Sequence, residues 1–134
     1  MNIDTDVIIR LLTSDDLKKQ KAASFLFEKA EKGKMILAAP VTVIADCVYV
    51  LSSPRLYNLP RSKIRDLLIT LIRIPNFKVE NKQRVLKALD LYASTSLDFG
   101  DANLVATALR SKDRTICSYD HDFDSMTNIK RVEP

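Results

Sequence analysis

Aspartate is the residue type whose positions in this chain point most directly to chemistry. Asp4 follows the first apolar residues, Asp101 lies in the first turn of a predicted helix, and Asp120 follows a short apolar run. Carboxylates that gather at one place repel each other and raise each other's pKa, and a divalent cation removes that cost. Oxygen ligands of this kind suit Mg²⁺ or Mn²⁺. The three positions therefore predict an acidic, metal-binding site.

Other kinds of active site lack the residues that they need. Gly33 and Gly100 are the only glycines, whereas a phosphate-binding loop or a dinucleotide fingerprint requires several at fixed spacing. His121 is the only histidine, and its charged and polar neighbours favour a solvated side chain over a catalytic one. Cys47 and Cys117 lie in apolar runs without zinc-binding spacing, which predicts two buried thiols. Carboxylate chemistry is what remains.

Length, composition and charge favour one ordinary domain. The 134 residues, of which 46% are hydrophobic, predict a single domain over residues 1–134 with a substantial core. The net charge of +4 fits a nucleic-acid partner without requiring one. Pro40 and Asp46 interrupt the longest apolar stretch, so no membrane span is predicted. Unpaired cysteines and the lack of a secretory signal predict a cytoplasmic location.

Short apolar runs that alternate with helical patterns predict an α/β fold. Such a fold contains a mainly parallel sheet that helices cover on both faces. Asn2 and Ile3 would form a short first strand, and a brief helix would begin at Val7. The remaining predicted strands span residues 35–38, 77–79, 115–118 and 128–132, and later helices would begin at Pro40, Arg61, Asn81 and Asp98.

The second helix has the clearest predicted start and end. Ser14 is a good N-cap residue, Asp15 and Asp16 suit the positive end of a helix, and Gly33 is a natural terminator. Apolar residues at helical spacing predict the buried stripe. The predicted stripe consists of Ala22, Phe25, Leu26 and Ala30.

The predicted topology would bring the three aspartates to one edge of the sheet. Functional groups of parallel α/β sheets collect beyond the carboxyl ends of the strands. Asp4 and Asp120 each follow a predicted strand, and Asp101 opens a helix that should begin at the same edge. Each also has a structural alternative: Asp4 and Asp120 as capping or turn residues, and Asp101 as the acidic member of a capping box with Asp98.

Four segments resemble, in chain order, the motifs of PIN-domain nucleases. Residues 3–12 resemble the first motif, in which an acid, here Asp4, precedes Thr, Asn and apolar residues. Residues 40–51 resemble the helix of the second motif, with Asp46 as its acid. Residues 98–102 and 118–123 resemble the third and fourth acidic motifs. The resemblance extends over nearly the whole chain and is closest to VapC-type toxins of prokaryotic toxin–antitoxin pairs.

This resemblance implies a PIN-like three-layer sandwich and cleavage of RNA that depends on Mg²⁺ or Mn²⁺. It also implies an antitoxin protein as partner and a homodimer. The implied catalytic acids are Asp4, Asp46, Asp101 and Asp120. Of these, Asp4, Asp101 and Asp120 would bind metal, with Asp46 and Asp98 as further candidate ligands. Thr5 and Ser118 would support the site by hydrogen bonds.

Basic residues are candidates for holding the phosphates that flank the scissile bond. For each one taken alone, an ordinary surface side chain is the better explanation. The candidates are Arg10, Arg55, Arg61, Lys63 and Arg114.

Two positions depart from the usual PIN pattern. Asp6 stands where Asn is usual, and Asp46 stands where Glu is usual. Aspartate is one methylene shorter, so Asp46 would reach a metal only through water or bind it less tightly. A non-catalytic PIN-like module that binds RNA or protein is therefore an alternative.

A second alternative is a phosphatase of the haloacid-dehalogenase type. Asp4-Thr5-Asp6 after a strand resembles the nucleophile motif of that class. The class also needs a later acidic pair, and Val105 stands where the second acid would follow Asp101.

Overall fold

A computed structural model describes all 134 residues as six α-helices, one 3₁₀-helix and four short strands. The chain forms two compact units, residues 1–82 and residues 83–134. Both strand pairs are parallel, which confirms the predicted α/β class. None of the helices combines the length and the hydropathy needed to cross a membrane.

The first unit contains four helices and one pair of strands. Strand β1 pairs with β2 so that Leu37 lies opposite Phe77. The predicted first strand is reduced to a single parallel bridge from Asn2 to Ala38. The elements are α1 (Thr5–Leu12), α2 (Leu17–Glu31), β1 (Leu37–Ala39), α3 (Val41–Ser52), α4 (Arg61–Ile72) and β2 (Phe77–Val79).

Helix α2 corrects two predictions. Its N-cap is Asp16, whose carboxylate accepts a 3.0 Å hydrogen bond from the Lys19 N–H, and not Ser14. The preceding Thr13 hydroxyl is already engaged, because its single hydrogen is shared between the carbonyl oxygen of Ile9 at 2.7 Å and Asp15 at 2.9 Å. The helix therefore begins two residues later than expected.

The buried stripe of α2 also differs from the predicted one. Its members are Ala23, Phe27 and Ala30, of which only Ala30 was predicted, whereas Ala22 and Phe25 are exposed. Apolar residues lie on both sides of this helix, so local spacing alone permits either stripe. Packing selects the observed one, since the ring of Phe27 meets that of Phe77 edge-on with centroids 5.3 Å apart. The terminating role of Gly33 is confirmed by its φ of 72°.

The second unit contains two helices, the 3₁₀-helix and the other pair of strands. Strand β3 pairs with β4 so that Ile116 lies opposite Arg131. Ile116 is buried and its neighbour Cys117 is exposed, because successive side chains of a strand point to opposite faces. The predicted burial of Cys117 was therefore wrong. The elements are α5 (Lys82–Ser94), α6 (Phe99–Ala108), β3 (Thr115–Cys117), the 3₁₀-helix (His121–Ser125) and β4 (Lys130–Val132).

Candidate acidic site

Asp4 occupies the N-cap position of α1, yet its side chain makes no capping hydrogen bond. The residue is exposed and its backbone is extended, with φ of −89° and ψ of 162°. A capping role would have occupied one carboxylate oxygen with a backbone N–H. Because that bond is absent, the structural alternative for Asp4 is not used and its carboxylate is available for chemistry.

Asp46 and Asp4 act on the same buried thiol in the first unit. Burial raises the pKa of the Cys47 thiol to about 12, and the negative charges of Asp46 and Asp4 add to this effect. Pro40 caps helix α3, as predicted, and this helix presents Asp46 as an exposed side chain beside the fully buried Cys47. The first unit thus brings two of the predicted acids within electrostatic range of one group.

Arg10 is fastened by two carboxylates. Its guanidinium lies 3.4 Å from Asp6 and 3.3 Å from Asp15. The Tyr57 hydroxyl donates a 2.6 Å hydrogen bond to the other oxygen of Asp15. Both acids neutralise part of the positive charge of Arg10. Arg10 is therefore a weaker candidate for binding RNA phosphates than the sequence indicated.

A pocket of about 370 Å³ opens beside these residues within the first unit. Its wall combines the free carboxylate of Asp4 with exposed apolar surface from Leu56. Its lining residues are Asp4, Thr5, Asp6, Ile9, Arg10, Val50, Leu56 and Tyr57.

Asp98 is the N-cap of α6, as predicted. Its carboxylate accepts a 2.8 Å hydrogen bond from the Asp101 backbone N–H. A capping box would also need the Asp101 carboxylate to accept from the Asp98 N–H, and that bond is not made. Only half of the box is present, so the Asp101 carboxylate remains free.

Asp101 sits among other acids in the second unit. Its pKa is raised, mainly by burial and further by the negative charges of Asp98, Asp120 and Asp122. The shift shows that the carboxylates of the third and fourth motifs share one region of this unit. Crowding of this kind is what a bound cation relieves.

Two hydrogen bonds shape the turn that carries Asp120. The Asp120 N–H donates to the Ser118 hydroxyl oxygen at 3.0 Å, and the Asp122 N–H donates to one Asp120 carboxylate oxygen at 2.8 Å. One carboxylate oxygen of Asp120 is therefore used within the turn, and the other oxygen remains free. The Ser118 hydroxyl thus helps to hold the turn that carries Asp120, and Thr5 lines the same pocket as Asp4.

Arg131 is a residue near this turn that the sequence did not single out. Its guanidinium donates to the Ser118 carbonyl oxygen at 2.8 Å and pairs with Asp124 at 2.8 Å and with Glu133 at 3.0 Å. The exposed His121 lies 2.8 Å from Asp124 through Nδ1. No sequence motif marks Arg131, because its partners come together only through the pairing of β3 with β4.

The other basic residues that were predicted to hold phosphates are spread over both units. Arg55, Lys63 and Arg114 are exposed, and Arg61 is half-buried at the start of α4. Their exposure leaves the first three accessible to a polyanion.

The predicted acids therefore form two sets. Asp4 and Asp46 lie in the first unit, and Asp98, Asp101 and Asp120 lie in the second. Neither unit by itself holds three or more acidic, histidine or cysteine side chains arranged to bind a metal ion.

The chain is similar to known proteins along nearly its whole length. The model of the PIN domain family matches residues 1–129. The VapC ribonuclease of Aquifex aeolicus (strain VF5) is 26% identical over 132 residues, which cover 98% of this chain and 95% of that protein.

Proposed function

The chain belongs to the PIN-domain family, and on this basis we propose that it is a metal-dependent ribonuclease that hydrolyses RNA phosphodiester bonds. The similarity to a VapC ribonuclease along almost the whole of both chains supports this activity. It also supports a role as the toxin of a toxin–antitoxin pair, acting in the cytoplasm as a homodimer that an antitoxin protein holds inactive.

The observation that carries the proposal is the crowding around Asp101. Burial and three neighbouring acids raise the pKa of this carboxyl, so the folded chain holds negative charges close together at a cost. A purely carboxylate donor set fits Mg²⁺ or Mn²⁺, which prefer oxygen ligands and retain several waters. The phosphatase alternative lacks such a fit, since Val105 is buried where an acid would be needed.

In the proposed mechanism Asp4, Asp101 and Asp120 would hold the cation. When bound, the cation supplies positive charge that activates water and stabilises the charge developing on the phosphate. Asp46 accepts a hydrogen bond from the attacking water and orients it. The Ser118 hydroxyl and the Asp122 N–H fix the Asp120 carboxylate.

Binding of the RNA backbone would fall to the exposed basic residues. Arg55, Lys63 and Arg114 would hold flanking phosphates, with smaller contributions from Arg10 and Arg61.

The decisive experiment compares Asp4→Asn with Asp6→Asn. Both variants remove one exposed carboxylate from the start of α1, but only Asp4 is proposed to bind the cation. Cleavage of a labelled RNA with Mn²⁺ should be lost in Asp4→Asn and retained in Asp6→Asn, with both variants folded by circular dichroism. Equal cleavage by the two variants would rule out the assignment of Asp4.

The shorter carboxylate of Asp46 keeps a non-catalytic RNA- or protein-binding module as the second candidate. Calorimetric titration with Mn²⁺ separates the two functions. A nuclease should bind the ion, and binding should weaken in Asp101→Asn. No heat of binding at millimolar Mn²⁺ would favour the module.

A further inference from the structure

The net positive charge of the chain is concentrated in one segment. Residues 17–34 contain six lysines and two glutamates and so carry a net charge of +4, equal to that of the whole chain. The other residues balance to zero. Helix α2 accounts for most of this segment, so the positive charge has a defined place in the fold.

Four of these lysines and an aromatic residue share one face of α2. They recur at i, i+3, i+7, i+11 and i+14, a spacing that places them along a single stripe of the helix. All five side chains are exposed, and the stripe lies opposite the buried Ala23, Phe27 and Ala30. From end to end it is about 21 Å long. The α2 stripe consists of Lys18, Lys21, Phe25, Lys29 and Lys32.

Phe25 adds an exposed aromatic ring to the positive charges of the α2 stripe. The side chain is 59% exposed, although burying a phenylalanine is normally favourable. The Lys29 ammonium lies over the ring, 4.4 Å from its centroid, and so places a cation on one face of an exposed aromatic side chain. A flat, accessible ring between lysines offers both groups that single-stranded nucleic acids use: a stacking surface for a base and charges for the flanking phosphates.

We propose that the α2 stripe is a binding surface for single-stranded RNA, on which lysines contact phosphates and an unpaired base stacks on Phe25. The inference rests on the proposed ribonuclease function, to which it adds a substrate-binding surface outside the acidic site. Single-stranded RNA is favoured over a duplex because paired bases leave no free face for the ring. It is favoured over an acidic polypeptide because carboxylates would engage the lysines and leave Phe25 unused.

Binding of a fluorescent 15-nucleotide single-stranded RNA, measured by anisotropy in EDTA, tests the lysines without cleavage. The triple variant Lys18→Gln, Lys21→Gln, Lys29→Gln removes three charges from the stripe. Its matched control is Lys87→Gln, Lys112→Gln, Lys130→Gln, which removes three exposed charges elsewhere. Lys32 is left in place because it pairs with Glu28 at 4.0 Å.

The stripe variant should bind at least about tenfold more weakly, and its slope of log affinity against log salt should fall by about 2, since each lost phosphate contact contributes about 0.7 for single strands. The control variant should retain most of the slope. If the two triple variants behave alike, the stripe is an ordinary solvated face and the proposal is overturned.

Two substitutions of one residue test the stacking. Phe25→Leu keeps an apolar side chain without a ring, and Phe25→Tyr keeps the ring. The leucine variant should bind single-stranded RNA about tenfold more weakly, and the tyrosine variant should bind like the unmodified protein. With duplex RNA of equal length the three proteins should bind alike. The proposal would be overturned if Phe25→Leu weakened the binding of duplex RNA to the same extent. It would also be overturned if poly-glutamate competed with the RNA in a way that depends on Phe25.

Kinetics separate this inference from the proposed function. With long RNA and Mn²⁺, the stripe variant should raise KM and leave kcat unchanged, and with a trinucleotide it should alter neither. Cleavage that is unaffected by the stripe variant would reject the stripe and retain the nuclease. Stripe-dependent binding without any cleavage would retain the stripe as an RNA surface and reject the nuclease.

Discussion

Arg131 donates a 2.8 Å hydrogen bond to the backbone carbonyl oxygen of Ser118, two residues before Asp120. The same guanidinium pairs with Asp124 beyond Asp120, and its side chain is only 11% exposed. Arg131 lies on β4, and these two partners lie in the segment that follows β3. One side chain therefore fastens both sides of the turn that carries a proposed catalytic acid.

Replacing Arg131 should make this turn more mobile without unfolding the protein. In Arg131→Met the backbone amides of residues 118–124 should exchange with solvent about tenfold faster, because the turn loses its link to β4. Hydrogen–deuterium exchange measures this directly. Cleavage should fall through kcat, with KM for RNA nearly constant.

Lys130→Met is the control for this experiment, since it alters an exposed neighbour on the same strand. If Arg131→Met exchanges no faster than Lys130→Met at these amides, Arg131 does not position the turn.

Asp98 combines a capping role with a proposed role near the cation, and two substitutions separate the roles. Asparagine caps helices as well as aspartate does, whereas alanine does not. Asp98→Ala should lower the free energy of unfolding by about 1 kcal/mol, and Asp98→Asn should leave it nearly unchanged. Urea denaturation measures both values.

Cleavage by the same two variants tests the charge of Asp98. If its carboxylate helps to hold the cation, both variants should need more Mn²⁺ for half-maximal cleavage. Normal Mn²⁺ dependence in Asp98→Asn would leave Asp98 as a helix cap only.

Local sequence patterns predicted the starts of helices better than they predicted contacts between residues that are distant in sequence. The starts of α3 and α6 were predicted correctly because Pro40 and Asp98 act on the helix that directly follows them. Of the predicted buried stripe of α2 only Ala30 was correct, since the stripe depends on the contact between Phe27 and Phe77, which are distant in sequence.

The candidate site divides in the same way. The order of the aspartates was readable, because each belongs to a short motif beside a strand or a helix start. The free state of the Asp101 carboxylate was not readable, since a capping box with Asp98 fits the sequence equally well. The position of Arg131 at the turn was not readable from the sequence, because it depends on strand register, which no short motif encodes.

The bond between Tyr57 and Asp15 should make stability depend on acidity. The Tyr57 hydroxyl, followed by the Thr13 hydroxyl, lowers the pKa of the Asp15 carboxyl in the folded chain. A carboxyl with a depressed folded pKa adds stability above its unfolded pKa of about 3.9, and this contribution is lost as pH falls through the folded value.

The unmodified protein should therefore be more stable than Tyr57→Phe near pH 6. The difference in melting temperature should shrink as pH falls below about 4, where Asp15 becomes protonated in both proteins. Tyr49→Phe is the control, since it removes a hydroxyl from a tyrosine that is 75% exposed. A constant difference between the two proteins from pH 6 to pH 3 would show that Asp15 does not contribute in this way.

The shorter carboxylate at position 46 should limit affinity for the cation, and Asp46→Glu tests this. The side chain is exposed on α3, so the substitution should change the free energy of unfolding by less than about 0.5 kcal/mol. The added methylene gives the side chain the longer reach of glutamate, and half-maximal cleavage should then require up to about tenfold less Mn²⁺. Asp46→Asn should shift the requirement in the opposite direction, because it removes the charge while keeping the length. Identical Mn²⁺ dependence in all three proteins would place Asp46 outside the reaction and strengthen the case for Asp4, Asp101 and Asp120 alone.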